Sequence, residues 1–111
     1  MGKITQTEIN QILDEAEIDL LLKSDMDNIE DFVEVTGVNF YTKGQNVIIR
    51  GDKEALGIRR IQHYLLYCEK ERNCKVHRRN REIVIYIKRE EINKFTILSL
   101  VELSYMDLKQ Q

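Results

Sequence analysis

TGVNFYTKGQNVIIRGDKEA, residues 36–55, is the stretch from which the fold can be read. Val38, Phe40 and Thr42 alternate with Asn39 and Tyr41, the period-two pattern of a strand with one buried face. Lys43-Gly44-Gln45 offers the glycine that a tight hairpin turn needs, and Val47, Ile48 and Ile49 form the returning strand. Gly51-Asp52 then opens a helix expected over about residues 53–72, with Asp52 as its cap. Ala55, Ile58, Ile61, Leu65 and Cys68 line one side of that helix, and Arg59, Arg60 and Gln62 lie off it. A hairpin running straight into an amphipathic helix predicts an α+β domain, in which helices pack on a small sheet.

Upstream, Thr5 and Glu8 have the spacing of a capping box. Ile9, Ile12, Leu13, Ala16 and Leu20 follow at helical intervals, so a first helix is expected over 6–17. Ile18, Leu20 and Leu22 alternate with Asp19, Leu21 and Lys23, which predicts a short strand at 18–23. Asp27 and Glu30 mark a second helix start, with Ile29, Phe32 and Val33 as its apolar stripe and Gly37 as its end. Downstream, KVHRRNR (75–81) reads as a basic link. EIVIYIK (82–88) reads as a strand whose consecutive β-branched residues predict burial on both faces. The tail EEINKFTILSLVELSYMDL (90–108) is helical and apolar around much of its circumference. Phe95, Leu98, Val101, Tyr105 and Leu108 are expected to face the core. Ile97, Leu100 and Leu103 are then left over as a partner or self-association surface.

The whole is expected to be one domain of 111 residues. Hydrophobic residues make up 42% and charged residues 32% of the chain, values of a folded globular protein rather than a disordered one. No run approaches the roughly 18 apolar residues of a membrane span, and MGKITQTEINQ lacks a signal peptide's apolar core, so a cytoplasmic protein without a membrane partner is expected. The net charge of −2 conceals a split: residues 1–42 carry −8 and residues 43–111 carry +6. Such a distribution predicts a dipolar surface, one side suited to polyanions.

From Leu20 to about Glu71 the expected order is strand, helix, hairpin, Gly-Asp, helix. With Asp27-Asn28-Ile29-Glu30, Thr36-Gly37-Val38, Lys43-Gly44-Gln45 and Ile49-Arg50-Gly51-Asp52, this stretch resembles KH-type RNA-binding modules, and in particular the KH-like N-terminal domain of PhoH-family proteins. The resemblance implies a three-stranded KH-like layer over about 18–72, to which the strand and helix of 82–109 are added. It also implies contact with RNA or single-stranded DNA. Two departures qualify it. The Gly-x-x-Gly loop of a nucleic-acid-binding KH module has no counterpart in Lys23-Ser24-Asp25-Met26-Asp27-Asn28, which carries two aspartates. The Gly-x4-Gly-Lys-Ser/Thr loop of an ATPase is missing from the chain, which sets ATP hydrolysis aside.

The nucleic-acid candidates are the basic strip Lys70, Arg72, Lys75, Arg78, Arg79 and Arg81, joined by Lys88, Arg89, Arg59 and Arg60. Tyr64 or Tyr67 would offer stacking faces and His77 a hydrogen bond. Glu69, Glu71 and Glu82 are the acids that would otherwise neutralise this strip. Cys68, Cys74, His63 and His77 lack the paired Cys-x2-Cys knuckle of a zinc site, so neither metal nor cofactor is expected. Asp14/Glu15 and Glu90/Glu91 read as solvated helix charges, and Cys74 with His77 has no third orienting group. The expectation is a non-catalytic binding module with no small-molecule substrate. It contacts nucleic acid through the strip and associates with itself or a protein partner through the last helix. The alternative is an assembly subunit or inhibitor that binds protein only.

Overall fold

In the computed structural model, residues 3–23, 32–68 and 74–106 are described. Four strands, β1 (Val38–Lys43), β2 (Asn46–Asp52), β3 (Cys74–Arg79) and β4 (Glu82–Lys88), form one antiparallel sheet in the order β1-β2-β4-β3. Four α-helices accompany it among the described residues: α1 (Gln6–Lys23), α2 (Phe32–Thr36), α3 (Leu56–Cys68) and α4 (Lys94–Ser104). The domain is therefore α+β, with helices at both ends of the described chain.

Local chemistry accounts for the element boundaries. At the start of α1 the Thr5 amide donates to Glu8 Oε1 at 3.0 Å and the Glu8 amide to Thr5 Oγ1 at 3.1 Å, the reciprocal capping box expected of this sequence. α2 ends at Gly37, which adopts φ +75° and donates its amide to Val33 O at 2.7 Å. The β1–β2 loop is Gly44 and Gln45, with Gly44 at φ +61° and no positive φ at Gln45, the pattern of a type II′ turn. The Asp52 side chain accepts from the Glu54 amide at 2.8 Å and so shapes the turn before α3, which begins at Leu56 rather than 53. Asn93 caps α4 by accepting from the Thr96 amide at 2.9 Å.

Two expectations about the elements are corrected. Residues 18–23 are not a strand; they extend α1 to Lys23. The three-stranded layer expected to include them does not form. The fourth strand comes instead from residues 74–79, within the segment expected to be a link. Extending a helix that already exists adds a hydrogen bond per residue without a new nucleus. In addition, Leu20 continues the buried stripe of Ile9, Ile12 and Ala16. The start signature at Asp27 lies outside the described residues.

One face of the sheet carries the core. Val38, Phe40, Val47, Ile49, Ile83, Ile85 and Ile87 alternate onto it and meet Ile9, Ile12, Ala16 and Leu20 of α1, Ile58, Ile61 and Leu65 of α3, and Ile97, Leu100 and Val101 of α4. α4 lies between α1 and α3 and runs parallel to α1. Lys94 reaches Glu8 at 3.2 Å near their first turns, and Tyr105 donates its hydroxyl to Asp19 at 3.2 Å near their ends. Burial, together with the charge of Asp19, raises the Tyr105 hydroxyl well above its ordinary value.

This central placement explains why α4 is apolar nearly all round, and it overturns the expected division of its faces. Ile97 and Leu100 are fully buried and Leu103 is half-buried against the core, so two of the three residues expected to form a partner surface are interior and the third is partly covered. Phe95 and Leu98, expected inside, are 78% and 37% exposed. Val101 and Tyr105 do face the core. Leu108 lies outside the described residues.

Candidate functional site

Among the described residues the helices all pack on the core face, so the alternate residues of the four strands form a second, helix-free face. Strand register fixes their rows. Tyr41, Ile48, Tyr86 and Lys75 lie side by side across the sheet, and Asn39, Arg50, Val84 and His77 form the adjoining row. Lys43, Asn46 and Lys88 close one end, and Asp52, Glu82 and Arg79 the other. Ile48 and Val84 are 2% exposed although no helix among the described residues covers them; Tyr41 and Tyr86 flank Ile48, and Arg50 and His77 flank Val84. The face is therefore an apolar floor with aromatic and basic side chains standing on it.

Its polar groups are held in place. Arg50 Nε donates to Glu82 Oε2 at 3.3 Å, a second guanidinium nitrogen donates to Oε1, and the third donates to the Tyr41 hydroxyl at 3.2 Å. These bonds to Tyr41 and then Glu82 raise the Arg50 pKa further above its already high value, so the guanidinium stays charged at any working pH. His77 stands edge-on to Tyr86, ring centres 5.1 Å apart at 80°. Arg50 and Glu82 neutralise each other, which leaves Lys43, Lys75, Arg79 and Lys88 against Asp52. On the helix side, α1 carries Asp14 and Glu15 exposed and Glu17 and Asp19 half-buried. These four acids of α1 thus lie on the side of the sheet away from the open face.

The expected basic strip divides. Lys75 and Arg79 lie on the open face; Arg78 has the opposite parity on β3 and lines a shallow groove with Arg59, Arg60 and His63 of α3; Arg81 occupies the β3–β4 turn. Lys70 and Arg72 lie outside the described residues, as do Glu69 and Glu71 and the side chains of Tyr67 and Cys68. Arg89 does not join the strip: its guanidinium donates to Ile4 O at 2.9 Å and Gly44 O at 3.0 Å, pinning the N-terminal segment to the first hairpin turn. Tyr64 packs against the core beside α4, away from the strip. Glu82, expected to offset the strip, is engaged by Arg50 instead.

Tyr41, Tyr86, Arg50 and Lys43 were not among the residues expected from the sequence. The alternation of EIVIYIK sets Tyr86 on one face with Val84 and Lys88, but which strands flank that face follows only from the register. His63 and His77 lie on different sides of the sheet, and among the described residues no three metal-ligating side chains come together. Asp14, Glu15, Glu90 and Glu91 are solvent-exposed. No helix among the described residues is long and apolar enough to cross a membrane.

Comparison with known proteins gives no family model, no curated protein and no solved structure that matches the chain significantly.

Proposed function

We propose that this chain is a non-catalytic module that binds single-stranded RNA or DNA on the open face of its sheet. The observation that carries this reading is the row Tyr41, Ile48, Tyr86, Lys75, with His77 beside Tyr86, on a face that no helix covers among the described residues. Aromatic faces on an open antiparallel sheet stack unpaired bases, each worth about 1–3 kcal/mol, and flanking cations follow the phosphates. Tyr41 and Tyr86 stand two strand spacings apart, about 10 Å, so each can meet a different base. Lys43, Lys75, Arg79 and Lys88 would take the phosphates. The contact surface of this reading lies on the strands and not at the Lys23–Asn28 segment.

Such binding is largely independent of sequence, because stacking accepts every base and the Arg50 fork at the centre of the face is occupied by Glu82 and Tyr41. The test is a fluorescence-anisotropy titration with a mixed-sequence single-stranded RNA. Four phosphate contacts give an expected affinity loss of roughly 50-fold between about 50 and 200 mM salt. No binding at the lower salt, or affinity indifferent to salt, overturns the reading.

A second reading, a subunit that binds protein only, is favoured by one observation. Ile18 and Leu22, one turn apart on α1, are 60% and 76% exposed. An apolar contact there responds little to salt, so the same titration separates the two.

A further inference from the structure

The two edges of the sheet are finished differently. Strand pairing sends the main-chain groups of Val38, Phe40 and Thr42 outward from β1, and this edge is guarded. The Thr42 amide donates to Gln6 Oε1 of α1 at 2.7 Å, and the Val38 amide to Thr36 Oγ1 at 3.2 Å. On β3 the hairpin register turns Lys75, His77 and Arg79 inward to β4 and sends the main-chain groups of Cys74, Val76 and Arg78 outward. Among the described residues, nothing pairs the outward groups of Val76 and Arg78. A strand edge with open donors and acceptors is a template for another strand.

We propose that the β3 edge takes up an extended acidic segment of a partner protein by strand addition. This goes beyond nucleic-acid binding, since it uses the main chain at the edge rather than the side chains of the face. Charge selects the partner. An added strand would lie next to Lys75, His77 and Arg79 on one face, all three exposed. On the other it would lie over the groove that Arg78 shares with Arg59, Leu56 and Leu66. Leu56 and Leu66 are 51% and 52% exposed. The fitting segment therefore alternates carboxylates, toward the open face, with apolar side chains, toward the groove. A second copy of the chain is a poor occupant: antiparallel β3–β3 pairing centred on His77 sets Lys75 of one copy opposite Arg79 of the other, and like charges opposite each other destabilise a sheet.

The experiment uses the full chain and a fluorescein-labelled peptide of alternating Glu and Val, seven residues long, at low salt, with no nucleic acid present. Two further peptides are N-methylated, one at every Val and one at every Glu, which removes the donors of one strand edge or the other and keeps the charge. Binding of the parent peptide, with a loss of about tenfold or more in at least one methylated version, is the expected result. Val76→Pro should show the same loss, because the Val76 amide points away from β4 and its removal leaves the internal ladder intact. Should that variant fail to fold, the methylated peptides still decide. Equal binding of all three peptides would mean charge attraction alone and overturn the proposal, as would no binding of the parent. Dimerisation of the protein that the peptide fails to disperse would also overturn it, by making a second copy the occupant.

Discussion

The two faces of the sheet are cut from the same strands, each taking alternate residues, yet they were built to different rules. The covered face is mostly Val, Ile and Phe, closed over by three helices. The open face keeps only Ile48 and Val84 as apolar floor and sets tyrosines, a histidine and lysines above them. A sheet that needed the open side only for solvation would be served by short polar residues, as half-buried antiparallel strands commonly are. On the proposed function, the aromatic rings held in register beside lysines would serve a stacking, phosphate-bearing ligand.

The largest effect separating the faces should be on stability. Ile85→Ala removes buried methyl groups from the middle of β4 and is expected to cost about 2–5 kcal/mol in urea denaturation. Lys75→Glu with Arg79→Glu, on exposed positions of the same sheet, should cost no more than about 1 kcal/mol, chiefly from the carboxylate set opposite Glu82. That double change should nonetheless lower single-stranded RNA affinity at least about tenfold and flatten its salt dependence. Equal destabilisation by the two variants would erase the distinction between the faces.

Tyr86→Ala separates stacking from charge on the open face. It removes the ring beside His77 and should weaken binding by about 1–3 kcal/mol while leaving the number of phosphate contacts, and so the salt slope, unchanged. A changed slope would mean that the ring acts by placing cations rather than by stacking.

The smallest effect expected lies on the covered side. Glu8 is held below the ordinary carboxyl value, chiefly by the Thr5 amide and next by Lys94. A depressed folded-state value stabilises the fold above the unfolded carboxyl's pKa, and that stability is lost as pH falls through the depressed value. Glu8→Gln should therefore show a smaller drop in melting temperature between pH 7 and pH 3 than the parent chain.

How much of this was legible in the sequence follows the strength of the local signals. The first hairpin, the α1 capping box, the Gly37 stop and strand β4 were readable because turn glycines, cap residues and β-branched runs act within a few residues. Residues 18–23 misled because Ile18, Leu20 and Leu22 satisfy a strand's alternation, while only Leu20 is needed by the helix stripe. β3 was missed because CKVHRR has a single β-branched residue; it is a strand because β4 needs a partner on its second side, and its charges suit an edge. The α4 faces were misassigned because a helix lodged between two others is apolar in nearly every direction, which leaves no stripe to choose. Of the candidate site, Lys75, His77 and Arg79 could be named from the sequence. Tyr41, Arg50 and Tyr86 could not be joined to them, since register across four strands is a tertiary property.

The most direct test of the open-face account is a ¹⁵N heteronuclear NMR titration of the full chain with an eight-nucleotide oligo-uridine at about 50 mM salt. The account expects the amide shifts to concentrate at Tyr41, Ile48, Arg50, Lys75, His77, Val84 and Tyr86, with α1 and α4 unmoved. Shifts confined to the helices, or none at millimolar oligonucleotide, would contradict it.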